Sequence, residues 1–314
     1  MTLARSILNL RGLGSLRLLL WLRNARRDGA TSQAFGNRNG IRLLDIFEDN
    51  VLGGASSDKL FILGGGWSVN ELDSTMFNHI DNHASIGVNF WFFHEFIPSA
   101  LSLDAGQPDD EQLVINLLRK VGRLLERWSV IERQPKILYL RPNQSNPEFL
   151  LPLPTGLTEG SFVSGRANIV GSSRRAVEVD LKNLVQRLLL RRIPRSVLPD
   201  NGSSVVRLVF FAIAQGFKDI VLVGVDLDAR PHFWYAKPYV EKYPELLALF
   251  PPPDGELHGT TESAGRALGN LDFLATLGRV LNELGAARLW IGSPTSQLSS
   301  VLPLYNWPAE IARD

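Results

Sequence analysis

Cysteine is absent from the chain, which removes disulfides, thiolate metal sites and cysteine nucleophiles together. Histidine is scarce, with five residues, so a histidine-rich metal centre is not expected. There is no excess of charge of one sign. The 33 Lys and Arg against 32 Asp and Glu leave a net charge of +1, too little for a dedicated nucleic-acid binder that relies on a strong global field. No apolar run near the N-terminus approaches the roughly 20 residues needed to cross a bilayer. The longest there spans residues 18–22, and no small-residue cleavage site follows it, so a secretory signal is not expected. What remains is an ordinary globular composition, 45% hydrophobic and 21% charged, in 314 residues that suffice for one large domain or two small ones. A cytoplasmic location fits these absences.

The first 30 residues form a basic amphipathic segment. Arg5, Arg11, Arg17, Arg23, Arg26 and Arg27 are interspersed with Ile7, Leu8, Leu10, Leu13, Leu18, Leu19, Leu20, Trp21 and Leu22, and no acid precedes Asp28. Residues 1–27 can lie peripherally on an anionic inner membrane, or form a helix whose apolar side docks on the main body.

Further on, the pattern alternates between strand and helix. "KLFIL" at Lys59–Leu63 reads as a strand ending in Gly64, Gly65 and Gly66, with Ser68 and a capped helix behind. Residues 84–93, "ASIGVNFWFF", read as a second buried strand and its turn, residues 109–127 as a helix, and residues 136–140, "KILYL", as a third strand. Residues 141–171 are rich in proline and glycine and read as loop. Residues 203–216 give an apolar helix with a serine cap and a glycine stop, and residues 219–225, "DIVLVGV", a strand apolar enough for the interior of a parallel sheet. A helix over 267–284 and a strand over 287–291 close the pattern. Residues 228–258, where prolines alternate with aromatics, read as a lid. The expected organisation is a basic segment at 1–30, an α/β domain built from 31–227 and 259–314, and the lid at 228–258.

Open α/β sheets bind ligands at the carboxyl ends of their strands, and three such ends carry candidates. Gly64, Gly65, Gly66 and Ser68 let a backbone approach a phosphate or ribose, or make a tight structural turn. The glycines match neither the P-loop nor the dinucleotide fingerprint. Asn89 is an amide in apolar surroundings and needs partners, from ligand or from a neighbouring loop. Asp226 and Asp228 would share a face in extended chain. They are either metal ligands of an Asp-x-Asp kind, or one of them ties down nearby backbone.

Across most of the chain these segments resemble the bacterial sialyltransferases that use CMP-activated sugars. "LGGGWSVNEL" is similar to that family's Gly-Asn-Gly-Pro-Ser-Leu nucleotide loop, with Gly65 where the family has asparagine. "IGVNFW" is similar to its strand ending Cys-Asn-Gln, which carries the ligand-binding asparagine onto Asn89. "SSVVRLVFFAIAQGFKDIVLVGVDL" resembles its Thr-Ser-Gly, apolar helix, Ala-x-Gly-Tyr-Lys-Glu-Ile and closing Gly-Ile-Asp, so Ser203 and Ser204 fall on donor-contacting positions. "SPTSQLSSVLP" resembles its closing Pro-Asn-Ser-x-Leu segment.

The resemblance implies an α/β, Rossmann-like parallel sheet flanked by helices, with a small lid. It implies an inverting, metal-independent glycosyltransferase of surface-polysaccharide or lipopolysaccharide assembly. Such an enzyme moves an acidic sugar, sialic acid or Kdo-like, from a CMP-sugar donor to a glycan or glycolipid acceptor, without a cofactor and with scope for a homo-oligomer. It places Tyr235 on the departing phosphate and His258 as general base, the latter after a two-residue shift from Thr260. The family's other lid tyrosine falls on Asp228, where this sequence departs. Neutral histidine suits a base near pH 7, and phenol and backbone donors suit a departing phosphate. His232 is a competing base, or lies on the outer face of the lid. His94 and Glu95 either contact acceptor or start a helix, and His79 and His83 have no evident role. Arg141, Arg174, Arg175, Arg187, Arg191, Arg192 and Arg195 face an anionic acceptor or membrane, or form a solvated face balanced by acids. Two other readings remain open: a metal-dependent, pyrophosphokinase-like nucleotide enzyme using Asp226 and Asp228, and a non-catalytic glycan-binding relative.

Overall fold

The structure is a computed structural model describing residues 14–52, 58–104, 135–141, 160–243 and 266–313. The helix expected over 109–127 and the second half of the expected lid lie outside the described residues.

Apolar runs without polar alternation demand cover on both faces, and the two strongest runs become adjacent interior strands. β2 (Lys59–Leu63) pairs in parallel with β9 (Asp219–Val223), Leu60 opposite Ile220 and Leu63 opposite Val223. Side chains alternate across the pair. Leu60, Ile62, Ile220 and Leu222 enter one core, and Phe61, Leu63, Val221 and Val223 enter the other. The remaining strands of this sheet are β1 (Arg42–Leu43), β3 (Ala84–Val88), β4 (Ala100–Asp104), β5 (Lys136–Arg141), β6 (Ser161–Val163) and β10 (Arg288–Ile291), in the order β1-β6-β5-β4-β3-β2-β9-β10. Every pairing is parallel. From β2 the chain steps outward through β3, β4, β5 and β6, then returns to lay β9 on the other side of β2. The order therefore reverses between β2 and β9, which is the switch point where such sheets accept ligands.

β7 (Gly165–Asn168) and β8 (Val197–Asp200) form a separate parallel pair. Thus β6 and β7 run through the stretch expected to be loop. Their 3 and 4 residues are too short to display a period, and their pairing comes from distant partners.

The helices are α1 (Gly14–Asn39), α2 (Ser74–Asp81), α3 (Arg174–Leu189), α4 (Ser204–Gln215), α5 (Lys237–Lys242), α6 (Asn270–Glu283) and α7 (Trp307–Ile311). α1 runs unbroken past residue 30 to Asn39 and docks on the body. Trp21 is 2% exposed, and its indole donates to Ala167 O at 2.9 Å. Arg17 is buried and donates to Asp180 Oδ1 at 2.8 Å. For residues 14–27, then, the tryptophan-bearing side packs inward rather than toward a membrane. Of the central arginines, Arg174, Arg191 and Arg195 pair at the surface with Asp272, Glu48 and Asp45, the balanced solvated face.

One surface network joins two helices. Glu178 of α3 accepts from Arg279 of α6 twice at 3.0 Å and pairs with Lys182 at 3.1 Å. The Arg279 hydrogen bonds, then Lys182, hold the Glu178 carboxyl down to about 2 from 4.5. A depressed native value means that this stabilisation is complete above the unfolded value and is lost as pH falls toward the native one. Glu178→Gln should therefore cost about 0.2–1 kcal/mol near neutrality. The gap from the parent should shrink between about pH 5 and about pH 3 in thermal melts. A constant gap across that range would contradict this account.

Candidate active site

The turn after β2 is sewn to the end of β9 by backbone. Gly64 N–H donates to Val223 O and Gly66 N–H to Gly224 O, both at 2.7 Å. Each glycine is required by a close neighbour. A Cβ on Gly64 would stand 2.4 Å from Gly224 O, on Gly65 2.8 Å from Trp234 Cζ3, and on Gly66 2.5 Å from Asp226 Oδ2. The 3-10 turn Trp67–Glu71 follows.

Asp226 is the fastener of this turn. Its buried carboxylate accepts from Ser68 N at 2.8 Å and Ser68 Oγ at 2.5 Å. Burial pushes its pKa up, against the opposing pull of the Ser68 hydrogen bonds and the Arg230 charge. Its carbonyl accepts from Gln297 N at 3.1 Å, and Ser296 Oγ donates to Val225 O at 2.8 Å, so the loops after β2, β9 and β10 meet here.

Asp226 and Asp228 do not share a face as extended chain would place them. Leu227 has φ +58, a left-handed backbone that turns the chain. Asp228 caps its own turn instead, accepting from Arg230 N at 3.0 Å and Arg230 Nε at 2.7 Å. The Arg230 guanidinium also stands 3.5 Å from Asp226 Oδ2 and 3.4 Å from Glu71 Oε1, and donates to Thr295 O at 3.0 Å. Thr295 Oγ1 and Ser293 Oγ in turn donate to Glu71. The position between the two aspartates is already filled by a cation, a side chain of the protein. Among the described residues no group of three or more His, Asp and Glu is arranged to hold a metal ion.

Beyond Arg230 the chain lies down on the glycine turn. His232 forms an antiparallel bridge with Gly66, and its Nδ1 is 3.1 Å from Gly65 O, which also accepts from Phe233 N at 3.0 Å. The next turn, Phe233–Tyr235, buries Phe233 and Trp234. Phe233 packs on Trp91 and His94, and Trp234 on Phe90 and Phe93, with ring centroids 5.5–5.8 Å apart. Tyr235 is half-buried. Burial pushes its phenol pKa up and the adjacent Trp234 side chain partly offsets this, so the hydroxyl keeps its proton as a donor. α5 continues outward with Pro238 in its first turn, and Lys242 pairs with Glu95 at 2.6 Å. Burial, with Glu95 and Tyr243 adding to it, pushes Tyr239 up to about 12.

Asn89 directly follows β3, one strand over, and opens the 3-10 turn Asn89–Phe93. Leu63 pairs with Gly87, so Asn89 stands beside the glycine turn. Its φ of +50 supplies a reason for an amide there that the sequence did not reveal, because asparagine tolerates left-handed backbone better than most residues.

Ser203 and Ser204 belong to another cluster, at the start of α4. Ser203 holds the N-cap position without a side-chain cap hydrogen bond. Asp200 braces the turn just before the helix, its Oδ1 accepting from Gly202 N at 2.8 Å and Ser203 N at 3.2 Å. Asp200 also pairs with Arg207 at 2.9 Å and Arg166 at 3.2 Å, and Ser204 Oγ accepts from Arg207 at 3.0 Å.

His94 is buried, its Nδ1 accepting from Phe96 N at 2.9 Å, which sets it in the core. His79 is buried too, 2.8 Å from the Tyr305 hydroxyl, which also accepts from Lys59 at 2.8 Å. That network lies at the amino end of β2, away from the candidate site. His258 lies outside the described residues. Arg230, Glu71 and Thr295 were not expected from the sequence; the signal for Arg230 was its position four residues after Asp226.

No protein-family model matches the chain, and no curated protein matches it. Among solved structures, it is similar to the sialyltransferase CstII from Campylobacter jejuni in complex with the substrate analogue CMP-3FNeuAc. Identity is 16%, over 79% of this chain and 85% of that chain, with a TM-score of 0.40. It is also similar to the sialyltransferase CST-II in complex with a trisaccharide acceptor and CMP, at 15% identity, 79% and 86% coverage and a TM-score of 0.40. A third is the monofunctional alpha-2,3-sialyltransferase Cst-I from Campylobacter jejuni, at 13% identity, 83% and 85% coverage and a TM-score of 0.41.

Proposed function

We propose that the chain is a glycosyltransferase that moves an acidic sugar, sialic acid or Kdo-like, from a CMP-sugar to a glycan or glycolipid acceptor. The transfer inverts the anomeric centre and needs no metal. The observation that carries this reading is the seating of residues 232–235 on the glycine turn at the switch point between β2 and β9. The short turn that ends in Tyr235 follows directly on the segment bonded to this side-chain-free backbone, where open α/β sheets take up nucleotides. The sequence segments that resemble CMP-sugar-dependent sialyltransferases coincide with these strand ends.

In this reading the nucleotide lies along Gly64, Gly65 and Gly66, with Asn89, Ser203 and Ser204 around the donor. His258 takes the proton of the acceptor hydroxyl, whose oxygen attacks the anomeric carbon. The electron pair of the breaking carbon–oxygen bond passes to the CMP phosphate, where Tyr235 donates to the growing charge. A single displacement inverts the centre. Asp226 acts through the turn it fastens, and Asp228 through Arg230. Support for metal independence comes from Arg230, which already neutralises the two aspartates a metal would need.

The reading is tested by thermal shift with CMP, CDP, UDP, GDP and ATP, each with and without EDTA. At about 100 times Kd a ligand of the native state adds about 2.7 kcal/mol of apparent stability. CMP should give the largest shift, unchanged by EDTA. A larger shift with UDP or GDP that depends on Mn²⁺ would overturn the proposal.

A further inference from the structure

We infer that the outward face of α1 is a docking surface for an anionic lipid bilayer. Leu16 and Leu19 enter the headgroup layer, and Arg23, Arg26 and Arg27 meet the anionic headgroups. The inference is independent of the glycosyltransferase reading above. Buried Arg17, Trp21 and Ala25 hold one side of the helix on the body. Leu16, Leu19, Arg23, Arg26 and Arg27 recur at helical spacing along the opposite side. All five are exposed, Leu16 at 41% and Leu19 at 62%. They cover about 16 Å of helix, at roughly 1.5 Å per residue.

The charge on this face is uncompensated. α1 contains a single acid, Asp28, and its carboxylate accepts from the backbone N–H of Arg166 in β7, on which the helix packs. Among the described residues, the side chains of Arg23, Arg26 and Arg27 have no hydrogen-bond or ion-pair partner. Elsewhere on the surface Arg174, Arg191 and Arg195 are each paired with an acid. The α1 arginines are instead left to solvent, one turn along from two leucines that are also left to solvent.

An anionic bilayer serves both ends of this face. Its headgroups receive the guanidinium groups, and the boundary between headgroups and acyl chains receives the leucines. A second copy of the chain serves it poorly, because a two-fold contact would set the same arginines against each other. A nucleic acid would use the arginines and leave the leucines in water, and the net charge of +1 gives it no global field. The helix is also fixed before it meets lipid, through the Trp21 indole on Ala167 O and the Arg17–Asp180 pair. Docking therefore carries no cost of folding the helix.

The test is co-sedimentation of the full chain with vesicles of phosphatidylcholine alone and of phosphatidylcholine mixed with phosphatidylserine. The parent should bind the mixed vesicles and not the neutral ones, and should release them as salt rises. Arg23→Gln, Arg26→Gln and Arg27→Gln together should weaken binding about a hundredfold, near fivefold for each charge. Leu16→Gln with Leu19→Gln should weaken it about tenfold or more. Glutamine is a good helix former and all five sites are exposed, so unfolding midpoints should match the parent. The comparison is Arg174→Gln, Arg191→Gln and Arg195→Gln together, which removes the same charge from paired sites and should leave binding within about twofold. Equal binding to both vesicles, binding to neither, an unchanged α1 arginine variant, or an equal loss in the comparison variant would overturn the inference. So would a loss that tracks a lowered midpoint. A parent that is dimeric in sedimentation equilibrium, and monomeric once Leu16 and Leu19 are replaced, would overturn it too by giving the face to a second copy.

Discussion

Asp226→Ala should lower stability by about 2–4 kcal/mol and abolish measurable CMP binding. The carboxylate is 5% exposed and is the acceptor for both Ser68 N and Ser68 Oγ, with Ser68 wholly buried. Truncation leaves two buried donors without an acceptor, at about 1–3 kcal/mol for each group so orphaned. It also frees the Gly66 segment that the carboxylate presses against, so the turn loses its shape where the nucleotide would lie. Asp228→Ala is the internal comparison. It removes a partly exposed pair with Arg230 and should cost below about 1 kcal/mol. Chemical denaturation of both variants, combined with Ser68→Ala in a double-mutant cycle, measures the coupling directly. An Asp226→Ala protein as stable as Asp228→Ala would refute the role of Asp226 as fastener.

Arg207→Ala should cost more still, about 3–5 kcal/mol, because it strips a partner from a buried carboxylate. Side-chain exposures of 1% for Arg207 and 0% for Asp200 leave no route for water to replace the guanidinium. Arg166, at 28% exposure and 3.2 Å, is too peripheral to substitute. Asp200 also holds the backbone N–H groups of Gly202 and Ser203, so the start of α4 should loosen with it. Removing both charges, as in Asp200→Asn with Arg207→Met, should recover much of the loss, since no unpaired buried charge is left and the amide oxygen can still accept from Gly202 N and Ser203 N. The check is the denaturation midpoint at an unchanged slope. A loss under about 1 kcal/mol for the single variant would refute the burial argument.

The central sheet was legible in the sequence wherever an apolar run was long enough to show its period or its lack of one. β2, β3, β9, α4 and α6 are such cases. β4, "ALSLD", and β8, "VLPD", were not read, because a serine in the first and a proline in the second interrupt an already short apolar run. α3 was hidden by its arginines, which drew attention to charge; its cap, Ser173 accepting from Ala176 N, was the available signal. At the site, the glycine turn was legible as a place of close approach. What approaches it in the structure is the Trp234 ring and the Asp226 carboxylate. The Asp-x-Asp spacing misled because period-two reasoning assumes extended chain, and one left-handed residue, Leu227, cancels it. The side on which His232 would fall was not legible either, since "PHFWY" has no periodicity.

The pairing of β2 with β9 joins stretches about 160 residues apart in the chain. Loop closure over such a distance comes late for a folding polypeptide and sets its pace. The glycine turn is made early in synthesis, but the Val223 and Gly224 carbonyls and the Asp226 carboxylate that shape it arrive only with the last third of the chain. The two halves of the site therefore become functional in a single event, the docking of β9. A fragment ending before Asp219 would keep the glycines while lacking every group that gives them their conformation.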